Sequence, residues 1–300
     1  MKYLISGCTG CIGMSLIKQL SCGDGDITVI LNPGSKRNLL TKNLPNLSVH
    51  YIELGRYLDV EISSNYDVFI HMAWTGGLAR DDFERNQFSS FAAIEALTLA
   101  ERLGCKKFIS VGSQAEYGIT REIINETTPC NPVNEFGIAK LNTYYRLREK
   151  VKKLDIEMTW LRVLSAYGPF DRSNSMIMTT IDNLLNERDI KLTNCTQKWD
   201  FLHSDDIADA IIRLSNTLGT KDLYVIGSDE NLELKSYVRE IFNGFTVNEE
   251  EIFGKVKIDE GSLVELQSDS SELRADLGWH PKIKFSEGIQ SLILSERSKL

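Results

Sequence analysis

The sequence predicts an α/β protein built on a doubly wound parallel sheet, followed by a smaller mixed α/β C-terminal portion. In the first half of the chain, short apolar runs of strand length alternate with amphipathic stretches of helix length, which is the pattern of βαβ units. A loop with three glycines separates the first apolar run from the first helical stretch, and the alternation ends near residue 170. Together these observations predict parallel strands joined by right-handed crossovers.

Each predicted element of the first half has its own local pattern. Unbroken runs of four to eight apolar and β-branched residues favour buried strands, whereas apolar residues three and four positions apart favour helices. The segments "KYLISG" and "IGMSLIKQL" show the two patterns in succession. The sequence predicts strands at 2–7, 27–31, 47–54, 66–73, 106–112 and 158–164, and helices at 12–20, 82–103 and 134–153.

Helical patterns predominate beyond residue 170. The stretch 173–188 is amphipathic, and after it a short strand leads into a helix whose N-cap is predicted at Ser204 or Asp205. A further strand is predicted at 223–227, and the tail is predicted to form two helices joined by a Gly-Trp turn. We therefore expect one unit over residues 1–170 and a second over 171–300, with segments of the second crossing back into the first.

Composition and charge exclude several classes of function. The chain has 300 residues, 42% hydrophobic and 25% charged, which is enough for a sizeable core. A net charge of −8 without lysine or arginine clusters argues against nucleic-acid binding. The apolar runs are shorter than the roughly 18–20 residues that cross a bilayer, and "MKYLISG" lacks the form of a signal peptide. With six scattered cysteines, the sequence predicts a cytoplasmic protein that does not associate with membranes.

The loop "GCTGCIG" predicts a dinucleotide site in residues 1–170, on a Rossmann-type sheet. Its glycines follow a strand and open a helix, so the backbone can approach a pyrophosphate that the helix N-terminus then binds. Cys8 and Cys11 also form a C-x-x-C, but without a second cysteine pair we interpret them as small loop residues and predict no metal site. The predicted cofactor contacts here are Gly7, Thr9, Gly10, Cys11, Ile12 and Gly13.

The end of the second strand bears on which dinucleotide binds. An acidic residue there would favour NAD through the ribose hydroxyls, but the chain has Asn32, followed by Ser35, Lys36 and Arg37. A neutral residue followed by two cations suits a 2′-phosphate, so NADP is the predicted cofactor and NAD the alternative. The other interpretation is that Lys36 and Arg37 are solvated loop charges.

Seven segments, in order, resemble the extended short-chain dehydrogenase/reductases, the NAD(P)-dependent epimerase/dehydratase family that acts on nucleotide sugars. The resemblance runs nearly end to end. It implies a nicotinamide cofactor, a nucleotide-sugar substrate bound by the portion 171–300, and a homodimer formed through the helices near 82–103 and 136–153. The segments are "GCTGCIG", "YDVFIHMAW", "ISVGSQAEYG", "FGIAK", "LRVLSAYGP", "QKWDFLHSDDIADAI" and "LGWHPKIKFSEGI".

The resemblance also implies the roles of individual residues. Ser113 is the hydroxyl that hydrogen-bonds the reacting sugar oxygen, and Lys140 bridges the hydroxyls of the nicotinamide ribose. Position 136 is the family's catalytic tyrosine, which exchanges a proton with the sugar while hydride moves to or from the nicotinamide. The further implied contacts are Met72, Ala73 and Trp74 with the cofactor, and Gln114, Phe136, Arg172, Asn174 and Trp199 with the substrate.

The residue at position 199 departs from the family. An arginine that reaches the substrate diphosphate is common there, and Trp199 cannot neutralise phosphate although it can stack on a base or sugar ring. The alternative is that Trp199 is a core residue. The phosphate charge is then expected to be met by Arg172 or Lys198, with backbone donors near Asn174 and Ser175.

The two residues after Ser113 bear on the type of reaction. Dehydratases of the family carry an Asp-Glu pair there, whereas this chain has Gln114 and Ala115, which argues against dehydration. The string "GSQAEYG" most resembles reductases of 4-keto-6-deoxy nucleotide sugars in cell-surface polysaccharide pathways, where NADPH is the usual donor. We therefore predict an NADP-dependent 4-ketoreductase. The alternatives are a nucleotide-sugar 4-epimerase that retains NAD, and a protein that binds both ligands without catalysis.

Phe136 stands where the family has its catalytic tyrosine. Phenylalanine keeps the volume of tyrosine but lacks its hydroxyl, so the chain is predicted to bind both ligands and turn over very slowly. Three explanations compete: an engineered substitution, a natural loss of catalysis, or a proton path through Tyr117, Glu116 or water. The survival of Ser113 and Lys140 favours the first.

Overall fold

The computed structural model describes residues 1–59, 61–62, 64–75, 80–257 and 264–299, and its main sheet is parallel. Unbroken apolar runs form its central strands, as in β1, where Leu4 and Ile5 are fully buried. The strands are β1 (Lys2–Ser6), β2 (Asp26–Leu31), β3 (Leu47–Tyr51), β4 (Val68–His71), β5 (Lys107–Ser113), β6 (Glu157–Val163) and β7 (Leu223–Ile226). Within the described residues these seven strands lie in the order β7-β6-β5-β4-β1-β2-β3.

The strand order reverses direction between β1 and β4. Loops that leave the carboxyl ends of two such strands diverge and open a crevice, where ligands bind in doubly wound sheets. Ser6 pairs with His71 across this point, and the Ser6 Oγ lies 2.7 Å from the His71 Nδ1. Burial lowers the pKa of His71 to about 3, so its imidazole is neutral and serves to join the two strand ends.

Helices cover both faces of the sheet. Consecutive strand residues point to opposite faces, so Ile5 packs in one core with α1 and α5, and Leu4 packs in another with α2 and α3. The helices are α1 (Cys11–Ser21), α2 (Phe83–Arg102), α3 (Glu135–Val151), α4 (Met176–Leu185), α5 (Ser204–Asn216), α6 (Leu234–Phe242), α7 (Glu249–Ile252), α8 (Ser271–Leu277) and α9 (Phe285–Arg297). Short 3-10 turns occur at Lys36–Thr41, Tyr57–Asp59 and Gln114–Glu116.

A separate aromatic core lies among α4, α6 and α9. The Phe285 ring centroid is 4.9 Å from that of Tyr167 and 5.4 Å from that of Phe201. Paired two-residue strands lie outside the main sheet, at Ile123–Ile124, Ala166–Tyr167, Lys198–Trp199, Leu202–His203, Leu232–Glu233 and Gln267–Ser268. β7 returns to the edge of the main sheet, and the division into domains at residues 170 and 171 stays a prediction.

The predicted fold class is confirmed, and each predicted strand and helix has a counterpart in the structure. The N-cap of α5 was predicted at Ser204 or Asp205, one or two residues too late, because the cap is His203, whose Nδ1 accepts the Asp205 N–H at 3.2 Å. Helix α6 and most of the two-residue strands were not predicted. Within the described parts of the chain, no helix has both the length and the apolar character needed to cross a membrane.

Candidate active site

The glycine loop leaves space that side chains would otherwise fill. Gly7 has a φ of +76°, and a Cβ there would lie 2.5 Å from the Ala73 backbone nitrogen. A Cβ on Gly13 would lie 2.5 Å from the Gly7 carbonyl oxygen. Gly10 is the N-cap of α1 and has no side chain to cap it, so the first-turn N–H groups are open to a ligand. The loop therefore fits a pyrophosphate at a helix N-terminus.

The two loop cysteines do not have the properties of a redox or metal site. Both are free thiols, and burial is the main cause that raises the pKa of Cys8 and of Cys11 to about 12. Across the described residues, no group of three or more His, Cys, Asp or Glu side chains could hold a metal ion. Cys8 and Cys11 therefore serve as small side chains that fill space at the loop.

The segment after β2 brings one of its two cations to the glycine loop. The Arg37 guanidinium donates to the Thr9 carbonyl oxygen at 2.8 Å and to the Phe170 carbonyl oxygen at 3.0 Å. The Ser35 Oγ accepts the Arg37 N–H, and the Asn32 Oδ1 accepts the Gly34 N–H. Lys36 is exposed. Arg37 is thus the better placed of the two to meet a ribose phosphate.

A cavity of about 690 Å³ opens at the crevice between β1 and β4 and continues to the C-terminal portion. Many of the predicted site residues line it: Gly7, Gly10, Cys11, Ile12, Gly13, Arg37, Met72, Trp74, Ser113, Gln114, Phe136, Lys140, Arg172 and Trp199. Six predicted site residues lie outside its lining: Thr9, Asn32, Ser35, Lys36, Ala73 and Asn174.

Lys140 is buried and lines this cavity. Its Nζ donates to the Val111 carbonyl oxygen at 2.7 Å and lies 3.9 Å from the Trp74 ring centroid. The Phe136 ring centroid is 5.9 Å away, because positions 136 and 140 are one turn apart on α3. Burial lowers the pKa of Lys140 to about 7, and the charge of Glu116 opposes part of that shift.

A buried ion pair fixes the turn that carries Ser113. The Glu116 Oε1 accepts the Ser113 N–H at 2.8 Å, and the Glu116 Oε2 accepts the Arg162 Nε–H at 2.7 Å. Both charged side chains are buried, and the Trp160 Nε1 also donates to this carboxylate. Burial alone would lower the pKa of Arg162, but the Glu116 charge raises it above its usual value. The pair holds the backbone and leaves the Ser113 side chain at the cavity wall.

The same network argues against a proton path through Tyr117 or Glu116. The Tyr117 hydroxyl accepts from the Arg162 guanidinium at 3.0 Å and donates to the Asn125 carbonyl oxygen at 3.1 Å. Neither Tyr117 nor Glu116 lines the cavity, and both are buried. Of the paths considered from the sequence, only one through water stays compatible with the geometry.

Trp199 forms part of the cavity wall on the substrate side. Its Nε1 donates to the Ser165 Oγ at 3.1 Å, and its ring centroid lies 6.0 Å from that of Phe201. Lys198, on the neighbouring strand position, does not line the cavity. The indole therefore offers a flat apolar face to a ligand, with its donor already satisfied by protein.

Several lining residues were not predicted from the sequence. Thr75 and Arg80 follow β4, and the rule that ligands bind at strand carboxyl ends points to this segment. Ser165 lies within the segment "LRVLSAYGP" and Asp171 lies just after it, but neither was named as a site residue. Val264 and Leu266 reach the cavity from a distant part of the chain, and no local sequence pattern identifies them.

Comparisons with known proteins agree with this geometry. A family model described as the NAD dependent epimerase/dehydratase family matches residues 3–227. CDP-abequose synthase from Salmonella muenchen is 24% identical over 302 residues, covering 97% of this chain and 97% of that protein. The dTDP-4-dehydro-6-deoxyglucose reductase of Escherichia coli is 26% identical over 201 residues, covering 65% of this chain and 63% of that protein.

A solved structure shares the fold over the full length. UDP-glucuronic acid 4-epimerase from Bacillus cereus, in complex with NAD, has a TM-score of 0.84 at 19% identity, covering 99% of this chain and 100% of that one. The family model matches most of the chain, and the glycine loop, Ser113 and Lys140 lie together in one cavity. The chain therefore belongs to the NAD dependent epimerase/dehydratase family.

Proposed function

We propose that this protein is an NADP-dependent nucleotide-sugar oxidoreductase that reduces a 4-keto-6-deoxy sugar at C4. The observation that carries the proposal is one cavity in which Ser113, position 136 and Lys140 meet, while Gln114 and Ala115 replace the acid pair of a dehydratase. The name of one relative, dTDP-4-dehydro-6-deoxyglucose reductase, supports a reductive step on such a sugar, and the name CDP-abequose synthase supports a nucleotide sugar as ligand.

The residues of the chain divide the work between binding and proton transfer. When bound, the nicotinamide cofactor supplies the hydride. The Ser113 hydroxyl would donate a hydrogen bond to the C4 oxygen, and the Lys140 amine would hold the nicotinamide ribose of the cofactor. A tyrosine at position 136 would pass a proton to the same oxygen. Phe136 cannot do so, so the proton must come from water and turnover is slow.

Arg37 supports the choice of NADP over NAD. It lines the cavity beside the glycine loop and is the cation nearest to the place where the adenosine ribose binds in doubly wound folds. The segment lacks the carboxylate that would repel a 2′-phosphate, because position 32 is asparagine. Guanidinium groups bind phosphate through paired hydrogen bonds.

A 4-epimerase is the second candidate. It is favoured by the small Ala115 beside Ser113 and by the similarity to a 4-epimerase over 99% of this chain. This function predicts that NAD stays bound during purification and that two sugars interconvert without net consumption of cofactor. The reductase consumes one NADPH for each sugar.

The test compares the given chain with its Phe136→Tyr variant. Both are incubated with NADPH and 4-keto-6-deoxy sugars linked to dTDP, CDP, UDP or GDP, and NADPH oxidation is followed. We expect the tyrosine variant to be about 10²–10⁴-fold faster, the range of general acid catalysis. Phe88→Tyr is the matched control, since it adds a hydroxyl to a half-exposed ring on α2.

Two outcomes count against the proposal. If Phe136→Tyr oxidises NADPH with none of these sugars, the reductase is excluded, and interconversion of sugars would then establish the epimerase. If the variant binds cofactor and nucleotide sugar yet catalyses neither reaction, the non-catalytic alternative is correct.

A further inference from the structure

Four cationic side chains line the cavity within the described residues: Arg37, Arg80, Lys140 and Arg172. Arg37 is bonded to two backbone carbonyls near the glycine loop, and Lys140 is bonded to the Val111 carbonyl. Arg37 therefore lies at the cofactor end, and the proposed function assigns Lys140 to the cofactor as well. Arg80 and Arg172 are the cations on the remaining wall, and the sequence did not single out Arg80.

The backbone of Arg80 is hydrogen-bonded to the helix that carries position 136. Its carbonyl oxygen accepts the Phe136 N–H at 2.8 Å. Its guanidinium carbon lies 5.7 Å from the Phe136 ring centroid. The residue is partly exposed to solvent, and within the described residues its guanidinium makes no hydrogen bond. Arg80 is thus held beside the proposed reaction centre with its donors available to a ligand.

The charges around Arg80 favour an anionic ligand. Desolvation, and after it the like charge of Arg172, lower the pKa of Arg80, and Asp81 opposes part of this. Two positive charges on one wall are stabilised when a negative group binds between them. Asp171 also lines the cavity, but its Oδ1 already accepts the Arg172 N–H at 2.7 Å.

Because Trp199 carries no charge, another residue of the wall must supply the positive charge that a bound oxyanion needs, and Arg80 can do so. The indole donor is bonded to Ser165, so the wall at position 199 supplies no charge. A nucleotide sugar carries a diphosphate, and an acidic sugar carries a carboxylate as well. Guanidinium groups bind either oxyanion by two parallel hydrogen bonds.

We propose that Arg80 and Arg172 together bind an oxyanion of the nucleotide sugar, either its diphosphate or a carboxylate on the sugar, beside position 136. The diphosphate arm rests on the proposed function, and bound to the diphosphate the pair replaces the charge that position 199 lacks. A 6-deoxy sugar has no carboxylate at C6. Binding to a carboxylate would therefore make the protein select acidic sugars and would overturn the 6-deoxy substrate of the proposed function.

The test measures binding by calorimetry, in the presence of saturating NADP, to the chain as it is, because Phe136 makes turnover slow. The ligands are UDP, CDP, dTDP and GDP, the matching monophosphates, and UDP-glucuronic acid beside UDP-glucose. Arg80→Gln is compared with Arg80→Lys, which keeps the charge, and with Arg85→Gln. Arg85 is an exposed control that pairs with Asp82 at 3.2 Å.

If Arg80 binds the diphosphate, we expect Arg80→Gln to lower the affinity for the nucleoside diphosphates about 10- to 100-fold and to leave the affinities for monophosphates and NADP unchanged. If Arg80 binds the carboxylate, the affinity for UDP-glucuronic acid falls by a similar factor and the affinity for UDP-glucose does not. Arg80→Lys should recover part of the loss, and Arg85→Gln should change nothing. Circular dichroism confirms that each variant is folded.

Unchanged affinity for every ligand in Arg80→Gln overturns this inference and leaves the proposed function standing. If the unaltered chain binds no nucleoside diphosphate and no nucleotide sugar, the proposed function fails, and this inference fails with it. A loss that extends equally to monophosphates and NADP would show that Arg80 supports the fold and does not bind an oxyanion.

Discussion

At the scale of single residues, the sequence identified groups that a motif marks and missed those that only the fold brings in. Ser113 and Lys140 were found because each follows a recognisable string, and the structure places both at one cavity. Arg80 stands in a segment without a motif, and its position depends on a backbone hydrogen bond to α3. A contact between residues so far apart in sequence leaves no local pattern.

Replacing Ser113 by alanine tests its role at the reacting oxygen. In the Phe136→Tyr background, we expect turnover to fall roughly 10²-fold while the Michaelis constant changes little, because the hydrogen bond strengthens as charge develops on the sugar oxygen. The Ser113 Oγ also accepts the Ala115 N–H at 3.2 Å, so thermal stability is measured in parallel. Ser113→Thr keeps a hydroxyl and should retain most activity. Unchanged turnover in the alanine variant would remove Ser113 from the mechanism.

The lowered pKa of Lys140 predicts that the stability of the fold depends on pH. Burial lowers the pKa of the Lys140 amine to about 7 in the folded state, against 10.5 for a lysine exposed to water in the unfolded chain. Between these values the unfolded chain binds more protons, so this contribution to the free energy of unfolding rises with pH and is most unfavourable below about 7. We expect Lys140→Met to be more stable than the given chain by roughly 1–3 kcal/mol at pH 6, with the gap closing toward pH 10.

Denaturant unfolding at a series of pH values, without cofactor, measures this gap. Lys191→Met, at an exposed position, is the control and should leave the pH dependence as it was. If the free energy of unfolding varies with pH in the same way for the unaltered chain and for Lys140→Met, burial of the charged amine does not destabilise the fold.

At the scale of elements, long periodic segments were predicted well and short non-local pairings were not. β1, α1 and β5 each have a continuous pattern of their own. The strand Gln267–Ser268 exists only because it pairs with Ile123–Ile124, more than a hundred residues earlier. Two residues carry no periodicity, so local sequence cannot predict such a strand.

The helices α2 and α3 present apolar side chains to solvent. Phe91 on α2 is 57% exposed, and Ile138 and Tyr145 on α3, seven residues apart and so on one face, are 42% and 46% exposed. The Arg146 guanidinium carbon lies 5.9 Å from the Phe91 ring centroid, which joins the two helices into one surface. The resemblance to the family implies that a homodimer forms through these helices, and contiguous exposed apolar residues mark interaction surfaces.

We expect Phe91→Glu to convert a dimer to a monomer, because a symmetric interface formed by this surface would bury the new carboxylate once in each copy without a partner charge. Light scattering after size exclusion measures the mass. Leu218→Glu places the same charge at another exposed apolar position, 71% exposed, and should leave the mass unaltered. A monomer in the unaltered chain would show that this surface has a different purpose.

At the scale of the whole molecule, the sheet and the C-terminal portion supply different walls of one cavity. The reversal of strand order between β1 and β4 places the glycine loop, and β5 with α3 places Ser113 and Lys140. Trp199 and Leu266 contribute from the later part of the chain. The sequence predicted the first set through periodicity and motif, whereas the second set depends on how the tail folds back.

Because both portions of the chain form the cavity, cofactor binding should stabilise the entire chain. Phe136 should not prevent this binding, since phenylalanine fills the volume of tyrosine. At a concentration about 100 times Kd, a ligand adds roughly 2.7 kcal/mol to the free energy of unfolding, which for a chain of this size raises Tm by about 5 °C. We expect NADP to give that shift and NAD, at the same concentration, a smaller one.

Substitutions after β2 decide whether this difference comes from reading the 2′-phosphate. The double variant Lys36→Ala with Arg37→Ala should weaken NADP binding by roughly 1–3 kcal/mol, which is the scale of charge-assisted hydrogen bonds. The binding of NAD should be little affected. Because Arg37 lines the cavity and Lys36 does not, most of the loss should appear in Arg37→Ala alone. The Arg37 guanidinium also binds the Thr9 and Phe170 carbonyls, so its removal can loosen the glycine loop as well. The Tm shift with NAD separates the two effects: an equal loss for both cofactors means that Arg37 holds the loop in place and does not select NADP.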